Sequence, residues 1–217
     1  MKKNTINSDT LLNLISKHSP DMLWIKDLNG RYLYANNAIC NGLLIATPDE
    51  VIGKTDIFFA LREREKNKDN KNWHTFGELC ANTDLETIKY MRPLRFLENG
   101  NIQGKMTYLE VDKAPFFDKN KNLIGVIGTA RDITEQILLK ERNEYLMYFD
   151  QLTSLPNRQK IILDIENKKP KSSIVFNIDD LKCVNGFFGT NFVVELLQDI
   201  ALRFIIYVYI AYIVHRD

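Results

Sequence analysis

The chain has 217 residues, 45% of them hydrophobic and 26% charged, which is ordinary globular composition with room for one large domain or two small ones. Its 29 Lys and Arg residues balance 28 Asp and Glu residues, so charge argues for neither a nucleic-acid partner nor an acidic disordered tail. The three cysteines are far apart, which favours reduced thiols over a disulfide framework or a zinc site. No apolar segment follows Lys2 and Lys3, and the longest apolar run, residues 204–214, is shorter than the roughly 20 residues of a membrane span. We therefore expect a cytoplasmic protein without a membrane span.

The first elements are a short helix and a hairpin. Ser8 can cap a helix that carries Leu11, Leu12, Leu14 and Ile15 and ends before Pro20, and we expect this helix to dock on the domain after it. Residues 22–26 and 31–35 alternate like strands on either side of Asn29-Gly30, a strong hairpin signal.

Helices and three strands are predicted next. Asn36 or Asn37 caps a helix through Leu44, and Thr47-Pro48-Asp49 opens a short turn. The alternating charges of residues 62–71 are typical of a solvated helix face, and we assign them no chemistry. Strands are predicted at residues 86–97, 105–117 and 123–130, with a turn at 98–101, and Pro93 indicates an edge or bulged strand.

This order of elements resembles the PAS sensor family. The segment WIKDLNGRYLYANNA at residues 24–38 and the motif Asp132-Ile133-Thr134 carry the resemblance, which covers about residues 8–135. The resemblance implies a five-stranded antiparallel sheet with helices on one face, enclosing a site for a small molecule whose identity it does not give. The Cys-containing flavin motif of the light-sensing branch is absent, which argues against a photochemical flavin.

The sensor pocket is predicted from aromatic, imidazole and thiol side chains. His74 matches the kind of helix position that supplies a haem ligand in some relatives, but a satisfied structural histidine is the more common role. Cys80 fits a buried apolar thiol. The candidate lining residues are Trp24, Tyr34, Trp73, His74, Phe76 and Cys80.

A helical linker is predicted after this domain. Asp132 and Glu135 have the spacing of a capping box, and no Gly or Pro interrupts residues 137–149. Leu138 and Tyr145 repeat at seven-residue spacing, as do Leu139 and Leu146. This stripe favours pairing in a homodimer, although an amphipathic helix packed on its own domain remains the alternative, because so short a helix is marginal alone.

The segment Asp150–Arg158, DQLTSLPNR, resembles the opening DxLTxLPNR motif of the GGDEF diguanylate cyclase family. A helix to about Glu166, a strand at residues 173–176, a helix at 191–203 and a strand at 207–214 are predicted after it. The resemblance implies two GTP molecules and Mg²⁺ at a site assembled between two copies.

The residues carried over from that family are incomplete. Lys182 matches the phosphate-binding lysine and Asn185 the guanine-reading asparagine, flanked by Asp180 and Leu181. Asn177, beside Ile178, replaces the metal-binding Asp by a neutral oxygen that binds a hard cation less well. Three further departures from the family pattern are Gly186 for an acidic residue, Thr190 for a histidine and Val194 for a second guanine-binding Asp. The chain ends before the signature, so we expect the GTP site to be vestigial and the cyclase inactive.

We therefore predict an α+β fold with a PAS domain, a helical linker and an incomplete α/β GGDEF-like domain. The predicted parts are an N-terminal flank at residues 1–18, the sensor domain at 19–135, the linker at 136–149 and the GGDEF-like part at 150–217. The leading hypothesis is a ligand-binding sensor coupled to cyclic di-GMP synthesis. The alternative is a non-enzymatic sensory and dimerisation module.

Overall fold

The computed structural model describes residues 7–168 and 178–207. The chain divides into two units, Met1–Ile137 and Leu138–Asp217. In the described residues, no helix is both long and apolar enough to cross a membrane.

The first unit contains a five-stranded antiparallel sheet with the order β2-β1-β5-β4-β3. Side chains on the strands alternate between the two faces, and the inward face of β1 carries Met22, Trp24 and Lys26. The strands are β1 Met22–Asp27, β2 Tyr32–Ala35, β3 Leu94–Ile102, β4 Lys105–Phe117 and β5 Leu123–Asp132.

The predicted hairpin between β1 and β2 is confirmed. The Asp27 carboxylate accepts hydrogen bonds from the backbone N–H groups of Asn29 (2.9 Å) and Arg31 (2.8 Å). Gly30 has φ +71°, which an L-residue rarely adopts.

The helices between β2 and β3 pack on the inward face of the sheet. Asn36 caps α2, accepting from the Ile39 N–H, and the chain continues as one π-helical segment, Cys40–Leu44. Thr47 and Glu50 form a capping box at α3. The helices are α1 Ser8–His18, α2 Asn37–Ile39, α3 Pro48–Val51, α4 Asp56–Lys66 and α5 Phe76–Tyr90, and the core between them and the sheet includes Ile39, Leu44, Phe59, Leu109 and Val111.

The prediction for residues 86–101 is confirmed only at residues 94–97, which lie in β3. Residues 86–90 are helical, because α5 continues to Tyr90 and ends at Met91 with φ +52°. Thr87 is wholly buried in that helix, and its hydroxyl donates to the Thr83 carbonyl (2.8 Å). Tertiary packing therefore outweighs the preference of this β-branched residue for a strand. The predicted turn at 98–101 lies inside β3, and the actual turn is Gln103–Gly104. Pro93 precedes β3, which is an edge strand.

The charged segment 62–71 is not wholly solvated. Glu63 is fully buried, and its carboxylate accepts from Lys66 (2.6 Å), Gln103 (3.1 Å) and Arg62 (3.2 Å). Periodicity alone missed it, because its burial is compensated by two donors of α4 and by Gln103 from the distant β3–β4 turn.

The N-terminal helix contacts the domain through its polar end. The Ser16 hydroxyl bonds the Tyr34 hydroxyl, and the Ser16 carbonyl accepts from the Asn36 side chain (3.0 Å). The apolar residues expected to dock are about half exposed: Leu11, Leu14 and Ile15.

In its described part, the second unit contains helices and one isolated bridge between Phe149 and Pro156. Asp150 organises the motif loop, its carboxylate accepting from the Thr153 N–H (2.9 Å) and hydroxyl (2.7 Å). Asn157 then caps the next helix by accepting from the N–H groups of Gln159 and Lys160. The helices are α6 Thr134–Tyr148, which begins in the first unit, α7 Arg158–Lys168, α8 Leu181–Phe188 and α9 Thr190–Tyr207.

Two predictions in this region change. Residues 181–188, for which no helix or strand is predicted from the sequence, form α8, and Tyr207, predicted to begin a strand, is the last residue of α9. The strand predicted at 173–176 and the rest of the one predicted at 207–214 lie outside the described residues.

Candidate functional site

A cluster of charged side chains lies in the core of the first unit, where apolar packing would be expected. The Lys26 ammonium donates to Asp56 (2.5 Å) and Asp84 (2.7 Å), and the Lys113 ammonium donates to Asp84 (2.6 Å). All four side chains are buried. Burial of a charge is costly unless it is paired and hydrogen-bonded, and each of these has a partner.

A third carboxylate completes the cluster, which we call the core ion cluster: Lys26, Asp56, Asp84, Glu98 and Lys113. Glu98 lies 3.5 Å from the Lys113 ammonium and accepts from the Thr83 hydroxyl (2.6 Å). Thr83 also accepts from Lys113 (2.7 Å). Three carboxylates therefore face two ammonium groups.

The core ion cluster was not predicted from the sequence, although one signal was present. The alternation of β1 places Lys26 on the same face as Met22 and Trp24, so its inward direction could have been read from the strand. Its partners stand 30 and 58 residues further along the chain, and nothing in local spacing brings them together.

Aromatic groups surround the lysines. The Lys26 ammonium lies 4.8 Å from the centre of the Tyr32 ring and 5.8 Å from that of Trp24. The Tyr32 hydroxyl donates to Asp56 (2.5 Å). The buried Nε1 of Trp24 has no hydrogen-bond partner among the described residues.

Neighbouring charges shift the pKa values of Lys26 and Asp84. Burial alone would lower the pKa of Lys26, but Asp56 and Asp84 raise it above its ordinary value. Burial alone would raise the pKa of Asp84, but Lys26 and Lys113 outweigh it and lower that pKa. These groups are therefore charged at neutral pH. Burial, with Asp56 next to it, raises the pKa of Tyr32 well above its ordinary value.

Two cavities adjoin the cluster. The inner one, of about 10 Å³, lies between the sheet and the helices, with Trp24, Lys26, Tyr32, Cys80 and Glu98 among its lining residues. About one water-sized sphere would fill it. The outer one is a cleft of about 210 Å³ at the edge of the domain. Asp56 lines both cavities.

The predicted pocket residues are not all brought together. Trp24 and Cys80 line the inner cavity, and burial, with Asp56 and Glu98 nearby, raises the pKa of Cys80. Phe76 is a buried core residue, whereas Tyr34 contacts Ser16 of α1.

Trp73 and His74 lie in the loop before α5. The Trp73 ring covers the β3–β4 turn, where a Cβ on Gly104 would come within 2.9 Å of it. His74 is buried, its carbonyl accepts from Arg64 (2.7 Å), and its Nδ1 has no partner among the described residues. Burial lowers the pKa of His74, so the imidazole is neutral at pH 7. Neither residue lines the two cavities.

The predicted GTP-site residues lie on and before α8. Lys182 and Asn185 are exposed and three residues apart, while Leu181 is half-buried. Asp180 precedes the helix with φ +56°, and Ile178 is 39% exposed. Asn177 lies outside the described residues.

Within the described ranges, no group of three or more His, Cys, Asp or Glu side chains could hold a metal ion. The described residues therefore do not by themselves form the implied Mg²⁺ site.

The start of α6 is hydrogen-bonded to strand β4 of the sheet. The Ile133 N–H donates to the Tyr108 carbonyl (2.9 Å), and the Tyr108 N–H donates to the Thr134 hydroxyl (2.9 Å). Asp132, predicted to cap this helix, accepts from the Thr134 N–H (2.9 Å). We call residues 132–134, with Tyr108, the output junction.

A family model of the PAS fold matches residues 16–137, more than half of the chain. The chain therefore belongs to the PAS family. A crystal structure of a PAS domain from Colwellia psychrerythraea is 14% identical, with a TM-score of 0.45, covering 59% of this chain and 99% of that one.

Two curated proteins are similar over a longer stretch. A diguanylate cyclase of Vibrio cholerae serotype O1 is 27% identical over 176 residues, which cover 77% of this chain and 51% of that protein. The cyclic di-GMP phosphodiesterase PdeR of Escherichia coli K12 is 30% identical over 173 residues, covering 76% of this chain and 24% of that protein. The chain thus spans about half the length of one relative and a quarter of the other. Both matches are too long to fit in the first unit, so both extend into the second.

Proposed function

We propose that this chain is the sensory part of a cyclic di-GMP signalling protein. In this proposal the PAS domain responds to a small molecule, and α6 passes the response to a GGDEF-like region. Cyclic di-GMP signalling is supported by the similarity to two proteins, one named a diguanylate cyclase and the other a cyclic di-GMP phosphodiesterase.

The observation that carries the proposal is the connection between the core ion cluster and the output junction through β4. Lys113 and Tyr108 lie on this one strand, five residues apart. The Lys113 ammonium donates to Asp84 and Thr83 of α5. The Tyr108 backbone accepts from the Ile133 N–H and donates to the Thr134 hydroxyl at the start of α6. A change of partners at Asp84 therefore reaches the start of α6 through one hydrogen-bonded strand.

A ligand acts on such a system only through its different affinities for two states. In this domain, a molecule bound at the cleft alters the charge around Asp56 and Asp84 and thereby the position of Lys113. The helix start then takes a different tilt or stability, and the GGDEF-like region receives that difference.

The test compares the protein as purified with the same protein after extensive dialysis. Native mass spectrometry should show a small-molecule adduct that dialysis removes, and its removal should change hydrogen exchange at the Ile133 and Ile137 amides. An absence of any adduct, together with identical exchange in both samples, would contradict ligand sensing.

A further inference from the structure

The cleft at the edge of the PAS domain has an acidic lining. It lies between the β1–β2 turn, the start of α4 and the middle of α5. Three of its lining residues are the acids Asp27, Asp56 and Asp84, and none of its lining residues is Lys, Arg or His. Asp56 and Asp84 are 4% and 5% exposed, whereas Asp27 is half-buried.

The two lysines behind the cleft match Asp56 and Asp84, but two further carboxylates remain. Glu98, which lies behind the cleft in the inner cavity, and Asp27, which lines the cleft, leave the group with two more carboxylates than ammonium groups. Because the site is partly removed from water, this excess charge attracts a cation more strongly than the same charge on an open surface would.

The carboxylates can accept further hydrogen bonds. The oxygens of Asp56 accept from Tyr32 and Lys26, and those of Asp84 accept from Lys113 and Lys26. Each carboxylate oxygen has two lone pairs, so acceptor capacity remains for a ligand. The Lys26 ammonium, already held between both carboxylates, shows that this geometry suits an ammonium group.

The walls of the cleft are apolar. Leu28, Ile57 and Leu85 line the cleft and are between 39% and 62% exposed. Ile88 and Val126 also line it. A hydrocarbon body lying against these side chains would remove their surface from water. The volume of about 210 Å³ is below the usual size of pockets for drug-sized ligands, so the site suits a smaller molecule.

We propose that this cleft binds a small organic ammonium ion, with its charged group toward Asp56 and Asp84 and its hydrocarbon part against Leu85 and Ile88. The proposal rests on the sensory function proposed above in that it names the class of ligand sensed. Binding at the cleft can nevertheless be measured without reference to the output helix.

The experiment is titration calorimetry of the full chain with n-butylammonium chloride, n-butanol and sodium butyrate at equal ionic strength. We expect saturable binding of butylammonium at least about tenfold tighter than butanol, a difference of about 1.4 kcal/mol. Butyrate should not bind. Equal affinity for the alcohol and the ammonium ion, or preference for butyrate, would overturn the proposal.

Two matched substitutions locate the site. Leu85→Lys places a tethered ammonium in the cleft, and Leu61→Lys places one on α4 outside both cavities. Both leucines are exposed on helices, at 62% and 56%, so neither substitution disturbs the core. Butylammonium affinity should fall at least about tenfold in L85K and stay unchanged in L61K. An equal loss in both variants, or none in L85K, would overturn the proposal.

A third substitution tests the charge at the rim. Asp27→Asn keeps the side-chain oxygen that accepts from Asn29 and Arg31 and removes the charge. We expect about threefold weaker binding, as for a partly exposed ion pair. Unchanged or tighter binding in D27N would contradict the role of the acidic lining.

Hydrogen exchange separates this inference from the proposed function. Binding of butylammonium with no change at the Ile133 and Ile137 amides would contradict the coupling and support the cleft. A response of those amides to another metabolite, without ammonium binding, would support the sensor and contradict the cleft.

Discussion

At the scale of residues, the PAS core depends on charges that are paired inside it. Asp84 is the centre of the core ion cluster because it accepts from both Lys26 and Lys113. Removing one member of such a buried network leaves its partners desolvated without compensation. The cost of losing Asp84 therefore exceeds that of losing an exposed ion pair.

Asp84→Asn should destabilise the protein by about 3 kcal/mol, since it leaves two buried ammonium groups short of a charged partner. Chemical denaturation measures the loss. The matched control is Asp112→Asn, whose carboxylate pairs with Arg95 on the exposed face of the sheet and should have little effect. Equal stability of D84N and wild type would contradict the assigned role.

His74 should make stability depend on pH. Burial lowers its pKa below the ordinary 6.5, so the unfolded chain binds the proton more readily than the folded one. The stability contributed by neutral His74 is complete above pH 6.5 and is lost as pH falls through the folded-state pKa. The charged groups that act on His74 are Glu63, Glu78, Arg62 and Arg64. All four are also present when His74 is replaced by Gln, so their own titration is common to both proteins.

The measurement is the free energy of unfolding of wild type and His74→Gln at pH 7.5 and 5.5. The loss of stability between these values should be larger in wild type than in H74Q, because glutamine does not titrate. Parallel losses in both proteins would contradict the buried, neutral imidazole.

At the scale of elements, α6 has an apolar stripe that the described residues leave open. Leu138 and Leu139 are 53% and 55% exposed and Leu146 is 37% exposed, while the Tyr145 and Phe149 rings stack at 4.9 Å. An exposed apolar stripe gains from a partner, and the predicted pairing with a second copy would cover it.

The protein should therefore elute as a dimer in size-exclusion chromatography with light scattering. Leu139→Glu should shift it toward monomer by placing a charge in the stripe. Gln136→Glu, exposed on the same helix outside the stripe, should leave the dimer intact. A wild-type monomer at every concentration would remove this role for α6.

The sequence predicted those elements whose signals are local. The hairpin, β4 and α7 were found because turn residues, alternation and caps mark them within a few residues. The extension of α5 to Tyr90 was missed because Thr83 and Thr87 are buried by packing. The core ion cluster was missed for a similar reason, because Lys26, Asp56 and Asp84 meet only when the sheet and both helices are assembled.

At the scale of the whole molecule, the sensory and output parts have different predicted capabilities. The GGDEF resemblance predicts that the second unit keeps a phosphate-binding Lys182 and a guanine-reading Asn185, both exposed on α8. It also predicts that Asn177, Thr190 and Val194 replace the metal-binding, histidine and guanine-binding residues of the pattern. A neutral amide holds Mg²⁺ weakly, and an apolar side chain leaves a guanine N–H unpaired.

Incubation with GTP and Mg²⁺ should accordingly release no pyrophosphate above background. Turnover that is abolished by Lys182→Ala would contradict this expectation and would establish cyclase chemistry in the second unit.

The coupling of the core ion cluster to α6 is best measured by hydrogen exchange at the output junction in Thr83→Val and Thr87→Val. Both threonines are buried on α5, one turn apart, but Thr83 bonds Lys113 and Glu98 whereas Thr87 bonds the Thr83 carbonyl. If the core ion cluster is coupled to α6 through β4, the Tyr108, Ile133 and Ile137 amides will exchange faster in T83V and at the wild-type rate in T87V. Indistinguishable exchange in the two variants at these amides would contradict the coupling.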